Sequence, residues 1–245
     1  MKLPRITIIT PTYNQGSYIE QTIQSVLCQG YPNLEYIVMD GGSTDQTIDI
    51  LRRYEHSLHW ISERDRGQSH AINKAMRMAS GDIVAFLNSD DLYEPGALQA
   101  VGEFFAQNPQ AAWLTGKCRI IDPAGNETRR AITSYKNAWL RLNSRAVLMI
   151  INYISQPATF WRRELIEQVG LFDEELHYAF DYDYWLRIGQ QVRLKVLDQY
   201  LSAFRVHPAS KGGTAAQIQF DQELVISQRY TSFALLRRLH HLHKR

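Results

Sequence analysis

Asn88-Ser89-Asp90-Asp91 sets two adjacent carboxylates directly behind an apolar run over residues 83–87. Neighbouring carboxylates repel unless something neutralises them. A hard divalent cation does so readily, because Mg2+ and Mn2+ take oxygen ligands, commonly one or two carboxylates plus substrate phosphates. The same residues also fit a plain turn whose aspartates cap a helix beginning near Pro95. Asp40-Gly41-Gly42-Ser43-Thr44-Asp45 follows a second apolar run. Its glycines permit a tight turn and close backbone approach. Asp40 there can accept a hydrogen bond from a base or ribose; alternatively, Thr44 caps the next helix. Asp181 and Asp183 lie within Phe180-Asp181-Tyr182-Asp183-Tyr184-Trp185. A carboxylate among aromatics can acquire a raised pKa and act as a general base, or Asp181 can cap an ordinary helix. His207 closes the run Phe204-Arg205-Val206-His207 and fits a metal ligand, a phosphate partner or a structural histidine. Arg64, Arg66 and Lys211 can counter phosphate charge, or are surface bases. His240-His241-Leu242-His243 has no neighbours in sequence that complete a metal site and reads as a solvated tail.

These groups need elements to position them. Residues 5–10 read as a buried strand ending at Pro11, and Ser17 as the cap of a helix over 18–29. Residues 36–39, 58–62 and 83–87 read as further strands. Helices are expected after Thr44, over 68–79 and over 94–105. Alternating short strands and helices imply crossovers and a mainly parallel sheet. Ligands of such sheets bind beyond the carboxyl ends of the strands. The polar clusters at 10–14, 40–43, 63–67 and 88–91 are therefore expected to face one crevice. Further on, 112–121 and 127–132 read as a hairpin about Asp122-Pro123-Ala124-Gly125-Asn126. Residues 181–188 read as a helix, 192–196 and 201–206 as strands, and 214–242 as a long helix.

Composition narrows the class. The chain has 245 residues, 44% of them hydrophobic, with a mean hydropathy of −0.33, which suits a packed globular body rather than a disordered one. There is no apolar run long enough for a spanning helix and no signal-peptide pattern at the start. Two cysteines, Cys28 and Cys118, form no framework, so a reducing, cytoplasmic location is expected. After Glu223 the chain carries five Arg or Lys residues and no acid, leaving a mildly acidic body. An acidic body argues against nucleic acid as a partner.

Taken in order, the motifs resemble family 2 glycosyltransferases over residues 5–210. The carrying segments are T-I-I-T-P-T-Y-N (7–14), D-G-G-S-T-D (40–45), S-E-R-D-R-G-Q-S-H-A-I-N (62–73), F-L-N-S-D-D (86–91) and F-D-Y-D-Y-W-L-R (180–187). The resemblance implies an α/β fold of GT-A type, with a mainly parallel central sheet flanked by helices. It implies sugar transfer from a nucleoside-diphosphate sugar, a UDP-sugar by family habit, with inversion and with Mn2+ or Mg2+ as cofactor. By position, Pro11, Thr12, Tyr13 and Asp40 hold the base and ribose, and Arg64 and Asp65 add nucleotide contacts. Asp90 and Asp91 match the D-x-D-type site, Asp91 being the expected metal ligand together with His207. Asp181 matches the catalytic base. Asn88 departs from the first acid of D-x-D, Phe180 from the glutamate before the base, and His70 from a common aspartate.

The expected organisation is a catalytic domain over 1–213, with a nucleotide-sugar half (1–110) and an acceptor half (111–213). A basic amphipathic helix over 214–245 follows as a C-terminal appendage. The acceptor is expected to be a saccharide or lipid-linked saccharide of surface polysaccharide synthesis. Leu235, Leu236, Leu239 and Leu242 recur at helical spacing among basic residues, a pattern that suits peripheral contact with the cytoplasmic face of a membrane. It suits equally docking on the body or on a second copy in a homo-oligomer. Two rival classes stay open: a nucleotide-sugar-binding protein without transferase activity, and a glycoside hydrolase, which would need no nucleotide site.

Overall fold

Along the first strands, side chains alternate between two cores. Ile6, Ile8, Tyr36, Val38, Ile83 and Ala85 enter one; Ile9, Ile37, Met39, Val84 and Phe86 enter the other. This is the period-two geometry of a sheet covered on both faces. A computed structural model of the protein describes residues 2–208, 210 and 216–230. Strands β1 (Ile6–Thr12), β2 (Leu34–Asp40), β3 (His59–Ser62) and β4 (Ile83–Phe86) are mutually parallel. They are joined through helices α1 (Ile19–Leu27), α2 (Thr47–Arg53) and α3 (Gln68–Met78).

The sheet continues through β5 (Leu92–Tyr93), β6 (Trp113–Ile121), β7 (Glu127–Thr128), β8 (Thr159–Arg162) and β9 (Lys195–Arg205). Its order is β3-β2-β1-β4-β8-β6-β9-β5, with β7 on the flank of β6. Strand β8 is antiparallel to both β4 and β6, while β6 and β9 are parallel, so the expected α/β sheet is parallel in its first half and mixed beyond it. Helices α4 (Ala97–Gln107), α5 (Arg130–Leu142), α6 (Arg145–Leu148), α7 (Glu164–Val169), α8 (Phe180–Gln191) and α9 (Ala216–Tyr230) complete the described chain.

Several local expectations are corrected. β1 does not stop at Pro11. Its pairing with β4 ends at Ile9, whose carbonyl accepts Leu87 N–H, while pairing with β2 runs on to Thr12. The amide that Pro11 lacks would face the side where β4 has ended, so no ladder bond is lost. Ser17 does not cap α1; Tyr18 holds the cap position and no side chain caps it. Asp45, not Thr44, serves α2, its Oδ1 accepting Thr47 N–H at 3.0 Å. Pro95 lies outside α4, which begins after Gly96 in the left-handed region (φ 77°). The hairpin is short, because the chain turns into α5 at Arg130 and carries Ile132 with it. The two strands expected over 192–206 are one, β9, with a bulge opposite Gly116 and Lys117.

Of the long C-terminal helix, the described part is α9, which packs on α8. Ile226 is fully buried in the core, and Tyr230 Oη donates to Asp183 Oδ1 at 2.7 Å. Lys211, the leucines from 235 onward and the 240–243 histidines lie outside the described residues. No helix among the described residues is long and apolar enough to cross a membrane.

Candidate active site

The residues that end or follow β1, β3 and β4 converge as the parallel topology requires, whereas the 40–43 cluster after β2, expected to join them, does not line the crevice they form. A crevice of about 380 Å3 there is lined by Pro11, Thr12, Tyr13, Asp65, Asn88 and Asp90, among others. Tyr13 is 60% exposed, a free aromatic face at the rim. The Thr12 hydroxyl is buried and has no hydrogen-bond partner among the described residues. Gly41 lies against Asp65 and Tyr13: a Cβ there would stand 2.7 Å from Asp65 Oδ2 and 3.4 Å from the Tyr13 ring. Asp65 is in turn held by Gly67 N–H, which donates to its Oδ1 at 2.8 Å. Asp40, 1% exposed, shapes the floor of this loop. Its Oδ2 accepts Gly42 N–H, Ser43 N–H and the Ser62 hydroxyl at 3.0, 2.9 and 2.6 Å, and its Oδ1 accepts the Ser43 hydroxyl at 2.5 Å. Arg64 is exposed and runs past Gly42.

The two carboxylates behind β4 part company. Asp90 lines the crevice, and its Oδ2 lies 3.0 Å from His207 Nε2. Asp91 points inward with no exposure. Its Oδ1 accepts Arg205 N–H at 2.9 Å and its Oδ2 accepts Asn88 Nδ2–H at 3.2 Å. Burial, and then the neighbouring Asp90 charge, hold its pKa well above the usual carboxylate range. Asp90 and His207 are thus the residues brought together, Asp90 on the crevice and His207 buried against it, and Asp91 is not among them. Asn88 also accepts Gln68 Nε2–H at 2.6 Å. An amide at 88 can donate to Asp91, whereas a second carboxylate would repel it.

A residue that sequence reading passed over ties this corner together. Arg205 is fully buried, and its side chain forms no ion pair with a carboxylate among the described residues. Instead Nε donates to Asp90 O at 2.8 Å, Nη1 to Pro123 O at 2.8 Å and Nη2 to Gln21 Oε1 at 2.8 Å. Its guanidinium lies over the Tyr18 ring, which also packs on His207. The available signal was its place two residues before His207 at the end of a strand.

A second cavity, of about 460 Å3, adjoins the first and shares Gln68, Asn88 and Phe204 with it. Asp181, the second residue of α8, lines it. Burial first, and then the Glu223 charge, push its pKa up to about 6. Burial lowers the pKa of Lys136, which lines the same cavity. Asp183 faces away, bound to Arg187 Nε at 2.8 Å and to Tyr230, and is structural. Of the two aspartates, α8 therefore presents one to the cavity and one to the core, as positions two apart on a helix require.

Among the described residues no cluster of three or more His, Cys, Asp or Glu side chains could enclose a metal ion by itself. Asp90 and His207 nevertheless supply one carboxylate and one imidazole suited to a cation that would draw its remaining ligands from phosphates and replace their mutual hydrogen bond.

Residues 7–170 match the sequence profile of Glycosyl transferase family 2. A Bacillus subtilis protein, TuaG, provisionally named a teichuronic acid biosynthesis glycosyltransferase, is 42% identical over 117 residues, 46% of each chain. The matched stretch is thus under half of that relative's length. Staphylococcus aureus TarS 1–349, solved with UDP-GlcNAc, aligns over 91% of this chain and 65% of its own, with a TM-score of 0.71 and 22% identity. The mannosyltransferase PcManGT of Pyrobaculum calidifontis, solved with GDP-Man and Mn2+, aligns over 99% of this chain and 70% of its own, with a TM-score of 0.74 and 24% identity. At these identities the two structures establish a shared fold.

Proposed function

The chain belongs to glycosyl transferase family 2, and from that premise we propose a metal-dependent, inverting transfer of a hexose-type sugar from a nucleoside-diphosphate sugar. A saccharide or lipid-linked saccharide of surface polysaccharide synthesis would accept it. The observation that carries this reading is the pair of adjoining cavities. One is lined by Asp90, which bonds to the buried His207, the other by Asp181, and Gln68, Asn88 and Phe204 are shared by both.

In this reading residues 1–110 hold the donor. The Tyr13 ring offers a stacking face for the base, and the unpartnered Thr12 hydroxyl and the Asp65 carboxylate offer polar contacts. Asp40 acts by holding the Gly41–Gly42 turn open to close approach. Arg64 counters phosphate charge. Mn2+ or Mg2+ bound at Asp90 and His207 would supply Lewis-acid stabilisation of the leaving diphosphate. Asp91 supports that site from beneath rather than binding the ion. The acceptor enters the Asp181 cavity. Its hydroxyl oxygen bonds to the anomeric carbon, the bond from that carbon to the diphosphate oxygen breaks, and the hydroxyl proton passes to Asp181. A base titrating near 6 is ionised at neutral pH yet basic enough to take that proton.

Support for the donor class comes from the solved relatives, one bound to UDP-GlcNAc and one to GDP-Man and Mn2+. Uridine is favoured among bases. The test is thermal unfolding with uridine, guanosine, thymidine and cytidine diphosphates, each with and without Mn2+. Ligand at a hundred times its Kd stabilises by about 2.7 kcal/mol. A metal-dependent rise in Tm with one nucleotide, lost in D90A, supports the donor site. No rise with any of them removes it. Binding without turnover of the matching nucleotide sugar would leave a nucleotide-sugar-binding protein. Peripheral membrane contact through the basic C-terminal segment is a separate proposal, and unchanged vesicle binding after deletion of 229–245 disposes of it.

A further inference from the structure

Helix α9 lies beyond the residues matched by the family profile, yet it reaches the proposed base from two directions. Gln222 Oε1 accepts the backbone N–H groups of Tyr178 and Ala179 at 3.1 and 3.2 Å. Ala179 is the N-cap residue of α8 and offers no capping side chain, while within the first turn Asp181 Oδ1 accepts Tyr182 N–H at 2.8 Å. The first amides of a helix have no partners of their own. A side chain from another helix thus fixes the approach to α8, two residues before Asp181. One residue on, Glu223 is 4% exposed and lines the same cavity as Asp181. It is held in place by Asn152 Nδ2–H and Gln219 Nε2–H, each donating to its Oε1 at 3.2 Å. Ile226 and Tyr230 anchor the rest of α9 to the core and to Asp183. The helix is therefore a clamp on α8.

We propose that Gln222 and Glu223 are positioning residues for Asp181: Gln222 fixes where α8 begins, and Glu223 supplies the negative charge that makes Asp181 an effective proton acceptor. A buried like charge disfavours the ionised form of its neighbour, so the neighbour binds a proton more tightly. Among the described residues, the other ionisable groups facing this cavity are Lys136 and Tyr135 of α5, Arg129 before it, Cys118 of β6 and Tyr178 ahead of α8. Lys136 opposes Glu223, since its charge favours ionised Asp181. Burial and Glu223 outweigh it, and Asp181 titrates near 6.

The proposal rests on Asp181 being the base, and its test separates the two. The full chain is labelled with 13C, and the Asp181 carboxyl resonance is identified by its absence in D181N. Its titration is followed in wild type, E223Q and E223D. E223Q keeps the shape and the acceptor for Asn152 while removing the charge. The Asp181 midpoint should fall by about one unit in E223Q, the scale of one nearby charge at a partly buried site. In E223D it should stay near the wild-type value. For Gln222, hydrogen exchange at the Tyr178 and Ala179 amides should speed up about tenfold in Q222L, the equivalent of one lost hydrogen bond. An unchanged midpoint in E223Q, or unchanged exchange in Q222L, overturns the corresponding role even if D181N is inactive. Near-normal sugar transfer by D181N would instead remove the base, whatever E223Q does to the titration.

Discussion

Asp90 Oδ2 stands 3.0 Å from His207 Nε2, joining the loop after β4 to the end of β9 across 117 residues of sequence. Their neighbour Asp91 is turned away and saturated by Arg205 N–H and Asn88. Two adjacent carboxylates therefore have separate work, and substitution separates them. D90N should lose the Mn2+-dependent part of the nucleotide-induced Tm rise while its Tm without ligand stays close to wild type; H207A should lose it too, from a lower starting Tm, because the His207 ring is buried against Tyr18. D91A should do the reverse first. It leaves the buried Arg205 N–H without its acceptor and takes from Asn88 Nδ2 one of its two, Gln156 Oε1 remaining, which costs about 1–3 kcal/mol and several degrees of Tm at this size. A D91A protein with wild-type Tm would show that Asp91 is not a structural acceptor.

The pH dependence follows from Asp181. In the folded protein its carboxyl titrates near 6, against an ordinary 3.8. The folded state therefore binds more protons than the unfolded state between these values. The stabilisation is complete below the unfolded value and is lost as pH rises through 6. D181N, which never carries the charge, should accordingly be more stable than wild type at pH 8, by about 2–3 kcal/mol. Below pH 4 the two should unfold together. Activity runs the opposite way: wild-type kcat/KM should fall tenfold per pH unit below about 6, and equal Tm values at pH 8 would contradict the burial of the charge.

Thr12 and Gly41 test the donor crevice without touching the proposed chemistry. T12V removes a buried hydroxyl that has no partner among the described residues, so Tm should hold or rise while nucleotide affinity falls. G41A puts a methyl 2.7 Å from Asp65 Oδ2 and against Tyr13, and should weaken nucleotide binding about tenfold by displacing that carboxylate. Isothermal titration with the nucleotide chosen by the thermal screen reads both. Unchanged affinity in both variants would move the base elsewhere.

The thiols give a simple check on the second cavity. Cys28 is exposed, whereas Cys118 is buried, with its pKa pushed up to about 12. A disulfide reagent at pH 8 should react quickly with one thiol per chain and reach the second only on unfolding. Two fast thiols would mean that the Cys118 side of the cavity opens readily.

Much of this was legible in the residues themselves. Apolar strands of four to seven residues that end in polar clusters leave little choice but a sheet with its ligands at the carboxyl ends, and the crevice formed there. The order of motifs from Thr7 to Arg187 was enough to indicate the family. What the sequence could not settle were choices of direction and partner. Asp90 and Asp91 are chemically identical, and only the backbone after β4 decides that one meets His207 and the other Arg205 N–H. Arg205 looks like any strand-end base until the fold buries it among carbonyls. Gln222 and Glu223 lie about forty residues beyond Asp181 in a segment legible only as helical, and only the packing of α9 on α8 brings them to it. Local sequence sets period, turn and strand end, because these depend on neighbouring residues. Which of two equivalent carboxylates faces a cavity depends on contacts distant in the chain, and those exist only once the tertiary structure has formed.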